Sequence, residues 1–119
     1  MKRLLILAAL CLPLMACTPA TTTPPLAPGY SNSADQQMGE ILSGARAFYV
    51  SIQQQAAAGT LILTPTVKAS FNAFGTSLNG AESIYLAYHN GTATQAAAQA
   101  AVNTVQSQQA ALPLPGATK

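Results

Sequence analysis

Apolar residues in this chain recur at helical spacing in three stretches and alternate in none. In the first, Met38, Ile41, Ala45, Phe48 and Ile52 follow one another at three- and four-residue steps, with Leu42 and Tyr49 beside them. Steps of this size place one apolar stripe along a helix, predicted over 33–58. Ser33 and Gln36 have the spacing of a capping box, and Gly59 supplies a stop. Gly39 and Gly44 each weaken this helix by about 1 kcal/mol relative to alanine, so tertiary packing has to hold it. The second stretch is the most regular: Val67, Phe71, Phe74, Leu78, Ala81, Tyr85 and Tyr88 share a face. Thr64 can cap it, and Pro65 falls where the missing N–H costs nothing. Asn90-Gly91 ends it at His89. The third helix is predicted over 93–112, with Thr92 and Gln95 as a capping box and Pro113 as its stop. Its stripe is thin: Ala98, Val102, Val105, Gln109 and Leu112.

Two short loops joining three helices favour antiparallel neighbours. The expectation is an all-α domain over 33–112, an up-down-up three-helix bundle, with an aromatic core of Phe48, Tyr49, Phe71, Phe74 and Tyr85. A longer coiled coil that uses the second stripe between chains is the alternative. The brief run Leu61-Ile62-Leu63 is expected to cap the bundle. Val50 and Ile84 fall off their stripes and, with Tyr88, are candidates for an exposed interaction surface, since aromatic and apolar side chains anchor many interfaces.

The flanks are different in character. Residues 18–32 read TPATTTPPLAPGYSN. Pro19, Pro24, Pro25 and Pro28 favour an extended tether, with a reach on the order of 45 Å. At the other end, residues 113–119 (PLPGATK) are expected to be disordered.

The first seventeen residues, MKRLLILAALCLPLMAC, begin with Lys2 and Arg3 and continue with an apolar run from Leu4 to Leu14. This is the layout of a secretory signal, and the run is too short to span a bilayer. The ending Leu14-Met15-Ala16-Cys17 resembles the lipobox of bacterial lipoproteins. That resemblance implies a signal peptide over 1–16, cleavage before Cys17, a diacylglycerol on the Cys17 sulfur and often a further acyl chain on its amino group. Cys11 would leave with the signal, so no free thiol or disulfide remains. In the same family an Asp after the cysteine often retains the protein at the inner membrane. Thr18 stands there instead, which implies the periplasmic face of the outer membrane. Two narrower resemblances concern function. The chain ends in Lys119, and in murein lipoproteins resembling Braun's a C-terminal lysine is joined to peptidoglycan through its side-chain amine. Phage lipoproteins of the outer-spanin type also combine a lipobox with Pro-rich segments, and they bind an inner-membrane partner. The helical part is similar to Ala/Gln-rich helical lipoproteins of bacteria and phages.

Charge narrows the classes of function. The formal charge is +2, but Lys2 and Arg3 belong to the signal. In the remaining 103 or so residues Arg46, Lys68 and Lys119 balance Asp35, Glu40 and Glu82. This composition provides no basic patch for nucleic acid and no polybasic stretch for anionic lipid. One histidine, His89, with three carboxylates and no cysteine past Cys17, is a poor basis for a zinc site. His89 is placed at a helix C-terminus, where the dipole favours it. Glu82 is expected on the rim, facing solvent, Lys68 or Arg46. The glycines follow no phosphate-binding pattern. The expectation is therefore a non-enzymatic protein with no metal and no cofactor. Its membrane contact is the anchor at Cys17, and its partner is an unidentified protein or a second copy of itself.

Overall fold

In the computed structural model, residues 25–114 are described, and they form three α-helices: α1 (Ser33–Ala57), α2 (Pro65–His89) and α3 (Gln95–Ala110). All three pairs of helices pack against one another, and the described residues contain no strand. The all-α three-helix bundle is the fold. Each helix starts at a side-chain oxygen that accepts an otherwise orphan backbone N–H. Thr64 caps α2 as expected, its hydroxyl accepting from the Val67 N–H at 3.4 Å, with Pro65 in the first position.

The other two caps differ from expectation. Asn32, rather than Ser33, caps α1 by accepting the Asp35 N–H at 2.9 Å. Thr94, rather than Thr92, caps α3 by accepting the Ala97 N–H at 3.2 Å. Thr92 is occupied elsewhere, its hydroxyl donating to the Ala87 carbonyl at 2.9 Å and closing the end of α2. The third helix accordingly begins two residues later than its spacing implies. At the ends of α1 and α2 the chain reverses through Gly59 (φ 73°) and Gly91 (φ 77°), a left-handed conformation that favours glycine.

The core is one cluster drawn from all three helices. Met38, Leu42, Ala45 and Ile52 come from α1, Phe71, Phe74, Leu78 and Ala81 from α2, and Ala98, Val102 and Val105 from α3. All but Leu42 are stripe positions; Leu42, beside the first stripe, is buried, while the stripe residues Ile41 and Phe48 are half-buried. The aromatic core is smaller than expected. Phe71 and Phe74 are buried, whereas Phe48, Tyr49 and Tyr85 are half-buried and pack around the cluster. Tyr49 stacks on Phe71 at 4.5 Å between ring centroids, and Phe48 meets Phe74 edge-on at 6.0 Å. The small residues of α3 leave the large side chains of α2 the centre of the bundle.

The described residues next to the helices on either side, 27–32 and 112–114, pack on the domain. Leu112 is buried just past α3 and Leu114 packs on the core, so the first residues after the helix are part of the domain. Residues 27–32, expected as tether, fold onto the bundle and are described below. Of the loop run, Leu61 and Leu63 pack on the core while Ile62 is 81% exposed. Alternate residues therefore cap the bundle and the middle one faces solvent.

Candidate functional site

The polar groups concentrate where the start of α1 meets the end of α2. Asp35, in the first turn of α1, is fully buried (0% exposed). Helix α1 starts at Asn32, so Asp35 faces back along the incoming chain, where a carboxylate is favoured by the helix dipole. Its Oδ2 accepts two hydrogen bonds from Ser31, from the N–H and from the hydroxyl, both at 2.8 Å. His89, in the last turn of α2, brings Nδ1 to 3.0 Å from Oδ1 and 2.9 Å from Oδ2.

Burial alone would raise the pKa of this carboxyl, because it penalises the charged form. Hydrogen bonds from the Ser31 N–H, the Ser31 hydroxyl, His89 and the Tyr85 hydroxyl together outweigh it and hold Asp35 at about 2 against an ordinary 3.8. The carboxylate is thus ionised at neutral pH and acts only as an acceptor, so the facing His89 nitrogen must carry hydrogen. Tyr85 responds oppositely. Its own burial, then its bond to Asp35 and the nearby negative charge, push its hydroxyl up to about 12.

These contacts strap residues 27–32 across the helices. The Ala27 N–H donates to the Gln36 side-chain oxygen at 3.0 Å, and the Asn32 amide pairs with the Tyr88 hydroxyl at 3.1 Å. Gly39 makes room. A Cβ there would lie 2.7 Å from the Tyr85 hydroxyl and 2.8 Å from the Tyr30 ring. Within the expected tether, Ala27, Ser31 and Asn32 are thus bonded to the helices.

The placement of His89 at a helix C-terminus holds, and the structure adds a partner. His89 sits in the last turn of α2 and is paired with Asp35 across 54 residues of sequence. A histidine oriented by a buried carboxylate is half of a proton-relay arrangement. In this network the Ser31 hydroxyl donates to Asp35 rather than to the imidazole, so the imidazole does not activate it. The pair ties α1 to α2, and Ser31 joins the strap to it.

Glu82 is engaged separately. It accepts from Arg46 Nε at 2.8 Å and also binds Arg46 Nη2, which in turn donates to Asn79 at 2.6 Å. Of the partners weighed for Glu82, Arg46 is the one observed, and this bond holds the Arg46 pKa above its ordinary value. With both side chains about one-third exposed, such a pair contributes about 0–1 kcal/mol. Among the described residues no three His, Cys, Asp or Glu side chains are grouped as metal ligands.

The candidate surface residues do not form one patch. Val50 (39%) and Ile84 (38%) are exposed, as their off-stripe positions implied. Tyr88 is half-buried, packed on the core and bonded to Asn32, so it serves the fold. Tyr49 meets Gly75 while Tyr85 meets Gly39, which places Val50 and Ile84 toward opposite ends of the antiparallel pair. Within the apolar stretch from Ile84 to Tyr88, Leu86 is the most exposed, at 55%. Its position between Tyr85 and Tyr88, off the stripe, is the sequence signal for this exposure. Near the end of α3 an apolar depression is lined by Phe48, Gln106, Gln109, Ala110, Leu112 and Leu114. Cys17 and Lys119, the expected lipidation and wall-attachment positions, lie outside the described residues. No protein-family model, curated protein or solved structure matches this chain.

Proposed function

We propose that this protein is a small lipid-anchored lipoprotein of the bacterial envelope, acting as a structural or protein-interaction module without catalysis. The observation that carries the reading is the N-terminal segment ending Leu14-Met15-Ala16-Cys17, with its basic start and its apolar run of signal length. Acylation at Cys17 would hold the protein firmly, because each buried CH₂ contributes about 0.8 kcal/mol and two or more chains act together. The periplasmic face of the outer membrane is the proposed destination. The ionisable groups brought together by the fold support a module rather than an enzyme: Asp35 with His89, and Arg46 with Glu82, link one helix to another.

The test is the intact mass of the protein recovered from membranes, before and after digestion of the cell wall. The expected species begins at Cys17 and carries acyl groups. An unacylated chain overturns the anchor. A muropeptide on Lys119 would show instead that the protein is a cell-wall linker.

A further inference from the structure

The strap changes where the bundle can sit relative to an anchored Cys17. Residues 27–32 are bound to the bundle through Ala27, Ser31 and Asn32. Residues 18–26 then separate Cys17 from Ala27, the first strap residue bound to a helix. The ten residue steps from Cys17 to Ala27, however arranged, span no more than about 35 Å. The chain enters at Gln36, in the first turn of α1, so this end of the bundle must stay within that distance of the acyl chains. The opposite end, at the loop bearing Ile62, is a helix length away, about 38 Å for the 25 residues of α1.

The outer surface of the strapped end suits such proximity. Leu26 and Leu86 are exposed near this end, and Tyr30 of the strap is half-buried. Tyrosine, apolar in its ring and polar at its tip, is favoured at membrane–water interfaces. The charge of Asp35 is enclosed by Ser31 and His89 and does not face outward. The nearest exposed carboxylate is Glu40, one turn along α1 from Gln36 and bonded to it. Arg46, Glu82 and Lys68 lie farther down the helices. Approach to a bilayer therefore desolvates little charge.

We propose that the strapped end, with Leu26 and Leu86 outward, rests on the phospholipid surface that holds the acyl chains, and that the Ile62 end projects away from it. The proposal rests on the lipid-anchor reading of Cys17. It is tested with the acylated full mature chain reconstituted in phosphatidylethanolamine/phosphatidylglycerol vesicles. Leu86→Cys and Ile62→Cys each provide one exposed thiol for an environment-sensitive fluorophore, Cys17 being blocked by its lipid. Both sites are exposed, so neither substitution disturbs the core. Quenching by an aqueous anion is compared between vesicles and an unacylated Cys17→Ser chain in buffer. The expected result is a several-fold loss of quenching at position 86 in vesicles, with position 62 unchanged. Equal accessibility of the two positions on an acylated protein, or protection of position 62 instead, overturns the orientation alone. A chain whose mass shows no acyl group at Cys17 overturns the anchor and the orientation with it.

Discussion

The two ends of the bundle are held by different forces. At one end, a buried carboxylate collects Ser31, His89 and Tyr85 and binds the strap to the helices. At the other, Tyr49 stacks on Phe71 while Ile52 and Val67 are buried and Leu61 and Leu63 cover the core. The first kind of contact is directional and depends on a protonation state. The second is roughly proportional to apolar area removed from water and is indifferent to pH. Both ends fit a tyrosine against a glycine, Tyr85 and Tyr30 over Gly39 and Tyr49 over Gly75. Close approach of the helices is thus secured the same way at each end, and what differs is whether charge or apolar area makes the remaining contacts.

The most damaging test falls on the apolar end. Phe71→Ala removes a side chain that is 4% exposed and leaves Tyr49 without its stacking partner. We expect a loss of about 3–5 kcal/mol in urea unfolding, with the pH dependence of the residual stability unchanged. A loss below 1 kcal/mol would mean that this end contributes little to the fold.

Asp35→Asn breaks the polar end, with an expected cost on the order of 2–3 kcal/mol, typical of hydrogen bonds to a buried charge. It also removes a pH limb. The folded-state pKa of Asp35, about 2, lies below its ordinary 3.8, so the fold favours the ionised form. The stabilisation is fully present above the ordinary value and is lost as pH falls from about 4 through 2. Tyr85 has the opposite sign: raised from 10.0 to about 12, it stabilises below pH 10, and that contribution is lost as pH rises through 12. Unfolding followed across pH should show an acid decline in the native protein that Asp35→Asn flattens. An unaltered acid limb in the variant would assign the decline to another carboxylate.

Glycine substitutions sharpen the comparison with a smaller effect. A Cβ at Gly75 would lie 2.7 Å from the Tyr49 ring, whereas at exposed Gly44 it meets nothing within 4 Å. Gly75→Ala should destabilise by about 1 kcal/mol net, overpacking outweighing the gain in helix propensity. Gly44→Ala should stabilise by up to about 1 kcal/mol, the propensity gain alone. Thermal unfolding of the two variants reads the sign directly. Stabilisation by both would show that Tyr49 moves aside freely.

Helix existence, the buried faces and the helical reversals at Gly59 and Gly91 could be read from residue spacing. These depend on side chains three and four positions apart, a relation that the linear chain contains. Off-stripe Val50 and Ile84 were legible as exposed for the same reason. The caps were less so, because several hydroxyl and amide side chains lie near each helix start and a shift of one or two residues exchanges them, as Asn32 and Thr94 show. The Asp35–His89 pair was hidden: its members stand 54 residues apart and each has an unremarkable local setting, a first-turn acid and a last-turn histidine. Only the antiparallel packing of α1 on α2 brings those two termini together. The same packing turns a Pro-rich stretch that reads as free tether into a strap, since its polar groups find partners on helices that are not its neighbours in sequence.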